Sequence, residues 1–382
     1  MRRRSGRPAL LFAVLVLALA AAGACSPERV VESYRVLDDI QAGAKPSALK
    51  DSTDAPTRQP IRFEIEGRPS VADLYLPAVA PKARLVLVPG VTPQGRDDPR
   101  VVEFAETLAR ARFQVLVPDL PRMRALTVSA DDAVPIADAL YFLDTQRQRQ
   151  PLGLAAISFA VGPAVLALFE PQAAGRVDFV LTVGGYYDLT ALIRYITTGY
   201  YRKTPDGPWL HRPPKAYGKW IFVLSNAPRI ENAADRDTLI QMARRKLDSA
   251  KTDVSDLAAR LGPDGRAVYA LVENTDPDAV ASLLAGLPSG IVEETRRLDL
   301  AERDLSTVTA RFVMIHDQAD RIIPPGHTTE FAAALPPGQA ETYYLGSIDH
   351  AEPKPPGPAD AFKMLQAVYA VLTLRDSGGQ AD

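Results

Sequence analysis

Stretches typical of buried strands alternate with amphipathic helical stretches along the chain, and this alternation restricts the fold more than any other feature. The run Ala83–Val88 is almost entirely apolar, which predicts a strand covered on both faces. A helical pattern at residues 99–113 and a second strand at 114–117 follow it. A helix at 129–144 then leads to a third strand, Leu152–Ile157. Strands joined by helices over short links predict a parallel sheet with right-handed crossovers.

The alternation continues along the chain but is interrupted once. An antiparallel hairpin is predicted at residues 61–76, ahead of the first parallel strand. Later elements are predicted as strands at 177–183, 310–315 and 341–345 and as helices at 325–335 and 359–374. The intervening residues contain helical patterns at 235–247, 279–287 and 291–298. We therefore predict one α/β core, residues 61–189 and 307–376, with residues 190–306 inserted as a helical cap.

The charge balance and the scarcity of metal ligands exclude two classes of function. The 382 residues include 44 Lys and Arg against 46 Asp and Glu, a formal net charge of -2. No Lys/Arg-rich block occurs in the body of the chain, and without one the phosphates of a nucleic acid would not be neutralised. The four His and one Cys show no paired spacing such as C-x-x-C. We expect no nucleic acid partner, no metal and no cofactor.

The first residues have the pattern of a targeting signal. Arginines at positions 2, 3, 4 and 7 precede an apolar run at residues 8–22, which is short for a membrane-spanning helix. The run ends in Ala22-Gly23-Ala24-Cys25, which resembles the lipobox of bacterial lipoproteins. The resemblance implies removal of residues 1–24 as a signal peptide and attachment of fatty acyl chains such as palmitate to Cys25. A plain secretory signal with an incidental Cys, or an uncleaved anchor, is the alternative.

The same resemblance implies a location. Ser26 follows Cys25, where an Asp would favour retention at the inner membrane. We therefore expect a protein of the bacterial cell envelope that is held by lipid to the outer membrane and faces the periplasm, with exposure at the cell surface as the alternative. Residues 25–60 are expected to comprise the lipidated Cys and a tether, because the stretch from residue 42 to residue 60 contains the Pro, Ser, Asp and Thr residues of a linker.

Ser158 lies where a buried strand gives way to a helix, a position suited to a nucleophile. In such a tight strand-to-helix turn, the residues two positions before and two positions after must be small for the chain to close. Both are alanines here, Ala156 and Ala160, so the sequence reads A-x-S-x-A instead of G-x-S-x-G. A Ser after a strand can equally serve as a helix N-cap, so the motif alone leaves both roles open.

Two later segments add the residues that a nucleophilic Ser needs. Residues 311–324 look like the strand and loop that supply the acid in α/β-hydrolases, and the acid falls on Asp320. His350 follows the next predicted strand on a Gly-containing loop. With this order of Ser158, Asp320 and His350, residues 61–376 resemble a bacterial α/β-hydrolase with an inserted cap. The resemblance implies the α/β-hydrolase fold, with Ser158 as nucleophile, His350 as general base and Asp320 as the residue that orients it.

Acyl transfer also needs N–H groups directed at the developing oxyanion. The backbone candidates are Phe159, directly after Ser158, and Val91, directly after the Pro89-Gly90 turn. In the enzymes that this chain resembles the turn is commonly His-Gly, and Pro in place of His leaves the backbone donor unchanged. The alternative is that Pro89-Gly90 only ends a strand.

Other acids and histidines near these positions are weaker candidates. Asp317 and Asp349 lie close in sequence to the chosen residues, and Asp188 follows another predicted strand. His316 ends a strand and is expected to be a hydrogen-bonded structural residue. His327 opens a predicted helix.

Together these features favour a serine hydrolase, most simply a carboxylesterase that forms an acyl-enzyme with a small ester or acyl substrate. The competing interpretation, motivated by the altered turn, is a non-catalytic α/β-hydrolase-like lipoprotein that binds a ligand or an envelope partner through its cap. The cap region begins with an aromatic-rich stretch, residues 186–222. Three roles for this stretch stay open: ordinary packing, an apolar acyl-binding wall, and a lid face resting on the membrane.

Overall fold

The computed structural model describes residues 26–145, 150–204, 206–346, 348–349, 352–353 and 357–379, with only the backbone of 348–349 and 352–353. Its strands are β1 Thr57–Ile65, β2 Arg68–Leu76, β3 Ala83–Val88, β4 Phe113–Pro118, β5 Leu152–Ile157, β6 Phe179–Val183, β7 Tyr200–Tyr201, β8 Leu210–His211, β9 Arg311–Asp317, β10 Ala340–Leu345, β11 Ile348–Asp349 and β12 Glu352–Pro353. Its helices are α1 Pro27–Ala42, α2 Ala48–Ser52, α3 Pro99–Arg110, α4 Pro121–Arg124, α5 Ala133–Asp144, α6 Val161–Ala167, α7 Leu189–Thr198, α8 Tyr217–Asn226, α9 Ala233–Asp248, α10 Ser255–Ala258, α11 Pro263–Glu273, α12 Val280–Ala285, α13 Ser289–Leu298, α14 Gly326–Ala334 and α15 Pro358–Arg375.

Eight of these strands form one sheet in the order β1-β2-β4-β3-β5-β6-β9-β10. The pairs β1–β2 and β2–β4 are antiparallel, whereas β3–β4, β3–β5, β5–β6, β6–β9 and β9–β10 are parallel. The predicted mostly parallel sheet with a leading hairpin is confirmed. Because parallel strands end at the same edge, the loops after β3, β5, β6 and β9 meet there, which is where ligands bind in sheets of this kind.

Helices cover both faces of the sheet, which explains the apolar runs of its central strands. Successive residues of β3 point to opposite faces. Val86 and Val88 belong to the apolar cluster that includes residues of α5 and α6. Leu85 and Leu87 belong to a second cluster, which includes residues of α3 and α15. All four side chains are at most 1% exposed.

Helices α7–α13 occupy the chain between β6 and β9 and pack against the core. Trp220 and Leu239 of this segment belong to the same apolar cluster as the residues of α5 and α6. A buried carboxylate adds a polar link. Glu294 accepts hydrogen bonds from the Ser129 hydroxyl and the Ala130 N–H group, both at 2.8 Å. The inserted helices are therefore fixed to the core by apolar packing and by a satisfied buried charge.

The region after residue 25 is folded, so the prediction of a tether at residues 25–60 is wrong for its described part. Helix α1 buries Val30, Val36 and Leu37 and packs against α3 and α15. Helix α2 and the first half of β1 account for much of the remainder. The stretch is folded because α1 carries an apolar stripe, which the distant helices α3 and α15 cover together with the adjacent α2.

The N-terminal predictions concern residues that the structure does not describe. The predicted signal peptide, residues 1–24, and the predicted lipidation site Cys25 lie outside the described residues. Within the described part of the chain, no helix combines the length and the apolar character needed to cross a bilayer. The targeting signal and the lipidation of Cys25 therefore stay predictions.

Candidate active site

The backbone of Ser158 has a conformation that few residues with a side chain adopt. Its φ is +60°, in the left-handed region. The other described non-glycine residues with positive φ, Glu66, Arg112 and Leu126, lie in a hairpin turn and after helices. Holding a Ser in this region costs about 1–2 kcal/mol. The sharp turn leads from β5 through a 3₁₀ turn at Ser158–Ala160 into α6.

Small side chains let this turn form without glycine at the two flanking positions. Ala156 and Ala160 are at most 1% exposed. Slightly farther along, a Cβ at Gly162 would overlap the Tyr186 hydroxyl. That hydroxyl donates a hydrogen bond to the Leu298 carbonyl oxygen at 3.1 Å. The A-x-S-x-A sequence therefore closes a strand-to-helix turn with a strained Ser, and the glycine that the packing requires is Gly162.

The turn after β3 lies directly beside Ser158, because β3 and β5 are neighbouring parallel strands that end at the same edge. A Cβ at Gly90 would lie 3.6 Å from the Ile157 carbonyl oxygen and 4.0 Å from Ser158 Cβ. The next residue is Val91, the first predicted oxyanion donor. Phe159, the second, lies in the first turn of the helical segment, where N–H groups have no acceptor within the helix.

A tyrosine from the inserted helices contacts this turn. The Tyr217 hydroxyl, at the start of α8, donates a hydrogen bond to the Val91 carbonyl oxygen at 3.2 Å. Burial raises the pKa of Tyr217, so the hydroxyl keeps its proton and can donate. No sequence motif predicted this contact, because the two residues are 126 positions apart.

Asp320 is buried in the turn that follows β9, with 2% of the residue exposed. Its Oδ1 accepts hydrogen bonds from the backbone N–H groups two and three residues later, at 2.7 and 3.0 Å. Its Oδ2 lies 3.6 Å from His316 Nε2 and 3.7 Å from the place where a Cβ on Gly184 would lie. Gly184 directly follows β6, which lies between β5 and β9 in the sheet. Asp320 therefore lies at the same sheet edge as Ser158.

His316 packs next to this carboxylate and has hydrogen-bond partners at both ring nitrogens. Its Nδ1 lies 2.6 Å from Thr328 Oγ1, and its Nε2 lies 2.8 Å from the Ile323 carbonyl oxygen. A carbonyl oxygen can only accept, so Nε2 carries a proton. The hydrogen-bonded structural role expected for His316 agrees with these contacts.

His327 is a second buried histidine near Asp320, and the sequence did not single it out for the site. The residue is 5% exposed, and the Tyr187 N–H group faces its Nδ1 at 3.5 Å. Burial first and the neighbouring His316 second lower the pKa of His327 to about 3, although Asp320 acts in the opposite direction. The ring is therefore uncharged at neutral pH.

The competing acids have local structural contacts. Asp188 caps α7 by accepting a hydrogen bond from the Ala191 N–H group at 2.7 Å. Asp317 accepts one at 2.7 Å from the N–H group two residues later, inside the turn that leads to the predicted catalytic acid. His350 and the side chain of Asp349 lie outside the described residues. The position of His350 stays a prediction.

A cavity of about 320 Å³ lies beside the Asp320 turn. It is lined by Pro324 and His327 from that side and by residues of the inserted segment and α14, namely Asp188, Ala191, Arg194, Tyr200, Tyr201, Arg202, Trp209 and Glu330. The Arg202 Cζ atom lies 4.1 Å from the centre of the Trp209 ring. Burial and the neighbouring Asp188 raise the pKa of Glu330. The aromatic stretch thus contributes to a cavity that also holds four charged side chains.

The groups at this sheet edge are those that acyl transfer uses. A hydroxyl on a strained turn, an adjacent backbone turn and a buried carboxylate share the edge. Among the residues that the structure describes, no three His, Cys, Asp or Glu side chains are grouped so that they could hold a metal ion.

Comparison with known proteins gives matches among solved structures. Neither a protein-family model nor a curated protein matches the sequence. A putative hydrolase from Legionella pneumophila is 12% identical, with a TM-score of 0.52, and the alignment covers 85% of this chain and 89% of that one. An acylaminoacyl peptidase from Pyrococcus horikoshii is 11% identical, with a TM-score of 0.44 and coverage of 85% and 42%. A lipase in its open form is 15% identical, with a TM-score of 0.46 and coverage of 85% and 100%.

The likeness to the Legionella pneumophila hydrolase bears on the fold alone. The chain spans less than half the length of the peptidase, and at such identities a shared structure does not transfer a substrate. The mostly parallel sheet observed here and the match to the Legionella pneumophila hydrolase together define the fold. The chain has the α/β-hydrolase fold.

Proposed function

We propose that the protein is a serine hydrolase, most simply a carboxylesterase, with Ser158 as its nucleophile. The observation that carries the proposal is the positive φ of Ser158 at the end of a central parallel strand. A strained residue persists only where its surroundings enforce it, and such residues cluster at active sites. The Gly90 turn beside Ser158 and the buried Asp320 at the same sheet edge support it.

In the proposed reaction, Ser158 Oγ attacks the ester carbonyl carbon while His350 accepts the hydroxyl proton. The oxyanion of the tetrahedral intermediate accepts hydrogen bonds from the Val91 and Phe159 N–H groups. His350 then gives its proton to the departing alkoxide, which leaves an acyl-enzyme. Water, deprotonated by His350, hydrolyses this ester and restores the serine. Asp320, whose orientation is fixed by two backbone N–H groups, would hold the imidazole in place.

Labelling with a fluorophosphonate tests this assignment. The reagent should modify the wild-type protein at Ser158, as mapped by peptide mass spectrometry, and Ser158→Ala should not be labelled. Ser52→Ala is a matched control, because Ser52 is exposed on α2 and, among the described residues, its hydroxyl bonds only to carbonyl oxygens of that helix at 2.7 and 3.3 Å. This control should be labelled as the wild type is. Folded wild-type protein that never reacts at Ser158 would support the non-catalytic interpretation instead.

We also propose that the mature protein begins at Cys25, is lipidated there, and is held at the outer membrane facing the periplasm. The support is the Ala22-Gly23-Ala24-Cys25 sequence followed by Ser26. Replacing Cys25 by Ser should move the protein from the membrane to the soluble fraction or leave its N-terminus unprocessed. An unchanged membrane fraction together with an unchanged mass of the mature N-terminus would refute lipidation.

A further inference from the structure

The residue that follows Cys25 is attached to the folded body. The Ser26 backbone N–H group donates a hydrogen bond to the Tyr369 hydroxyl of α15 at 3.1 Å. The Ser26 side chain also caps α1, because its oxygen accepts a hydrogen bond from the Arg29 N–H group. Ser26, the first described residue, is therefore bonded directly to the folded core.

Helix α1, which starts at this point, is held by both charge and apolar packing. The Arg29 guanidinium pairs with Asp376 at 3.2 Å. Arg375, which is fully buried, donates a hydrogen bond to Glu32 at 2.8 Å. Val30 is only 2% exposed. A helix fixed in this way moves with the body and does not act as a hinge.

The attachment point lies at the end of the sheet where the parallel strands begin. Ser26 lines a cavity of about 590 Å³ together with Lys82 and Pro151, the residues directly before β3 and β5. Both strands have six residues and run parallel. We name this the starting end. The finishing end, which carries Gly90 and Ser158, lies about 20 Å away at the usual rise of a strand.

The geometry points to a fixed orientation on the membrane. Consecutive Cα atoms are about 3.8 Å apart, so acyl chains on Cys25 would leave the protein at the starting end. We propose that this end faces the bilayer, and that Ser158 and helices α7–α13 face away from it. The substrate is then an ester that arrives from the aqueous phase, not a lipid of the anchoring membrane. This inference rests on the proposed hydrolase function and the proposed anchoring, and it replaces the idea of a lid face resting on the membrane.

A chemically coupled protein tests the orientation without relying on lipidation in the cell. The chain that begins at Cys25 contains no other thiol, so it can be joined through that residue to maleimide-headgroup phospholipids in phosphatidylcholine vesicles. Its two tryptophans, Trp209 and Trp220, both lie between β6 and β9 and report on the finishing end. Phospholipids with nitroxide headgroups then quench only those tryptophans that lie near the bilayer surface.

The native chain should keep its fluorescence when nitroxide lipids are present. Glu28→Trp, a change at an exposed position in the first turn of α1, should lose most of the fluorescence that the substitution adds. Native tryptophans quenched as strongly as the one added at position 28 would overturn the proposal, and so would a Glu28→Trp variant that is not quenched at all.

Activity of the same vesicles tests the substrate class separately. The coupled and uncoupled proteins should hydrolyse a water-soluble ester at equal rates, and the coupled protein should release no fatty acid from its own vesicle. Release of that fatty acid would overturn the inference. The Ser158→Ala protein should give the same quenching as the native chain, because quenching does not depend on catalysis. If the hydrolase assignment is wrong, the fluorophosphonate labelling fails while the quenching result still stands.

Discussion

The starting and finishing ends of the parallel strands are constructed in opposite ways. At the starting end, Arg375 is buried with its charge paired, and it also donates a hydrogen bond to the Ala111 carbonyl oxygen at 2.8 Å. At the finishing end, Ser158 has a strained backbone and His327 is buried without charge. The difference teaches that a paired and hydrogen-bonded Arg375 contributes stability at one end, whereas the other end holds a strained serine in a conformation that a reaction can use. If this is right, substitutions at the two ends should affect different properties.

Replacing the strained residue should separate activity from stability most strongly. Glycine adopts a φ of +60° without steric cost, so Ser158→Gly should be as stable as the wild type or more stable by up to about 1 kcal/mol. Ester hydrolysis should fall by at least about 10³-fold because the nucleophile is gone. Urea unfolding and an ester assay measure the two effects. A variant that is clearly less stable would contradict the assignment of strain to this turn.

At the starting end the opposite pattern is expected. Arg375→Met leaves Glu32 without its partner and removes one of the three cations that pair with Asp376, the others being Arg29 and Lys82. The variant should lower the free energy of unfolding by about 2–4 kcal/mol. The kcat should stay at the wild-type value at temperatures where the variant is folded. The matched control is Arg296→Met, which removes an exposed pair with Glu293 and should not measurably change stability. A loss of kcat in folded Arg375→Met would show that the two ends are coupled.

Acid should destabilise the finishing end through His327. Its pKa of about 3 in the folded protein lies below the ordinary value near 6.5, so the unfolded chain binds the extra proton between these values. Stability from this group is complete above pH 6.5 and is lost as the pH falls, by about 2 kcal/mol between pH 7 and pH 5. The His327→Gln variant should not show this loss of stability, because a glutamine side chain does not take up a proton. Urea unfolding of both proteins at the two pH values gives the difference, and parallel pH dependences would contradict a buried neutral histidine.

Sequence prediction and structure agree where an element can be recognised from residues that are close together in the chain. The strands were predictable because β3 and β5 carry apolar runs that need no partner to be recognised. Ser158 was predictable as a candidate from its place after a strand, and Asp320 from the resemblance of its segment to the loop that supplies the acid in α/β-hydrolases. The structure puts both at one sheet edge. Helix α1 was missed because its buried stripe lies among charged residues and is covered by a helix more than 300 positions later, as the Ser26–Tyr369 hydrogen bond illustrates.

The contact between Tyr217 and Val91 was unpredictable for the same reason, and it gives the smallest and most specific test of the finishing end. Tyr217→Phe removes one hydrogen bond to the carbonyl of the residue proposed as an oxyanion donor. Such a bond contributes about 1 kcal/mol, so a looser turn should lower kcat about fivefold. The KM for a small ester and the unfolding midpoint should change little. The control Tyr343→Phe removes a hydrogen bond to Glu341 on strand β10 and should leave kcat unchanged. A wild-type kcat in Tyr217→Phe would mean that the inserted helices cover the turn without positioning it.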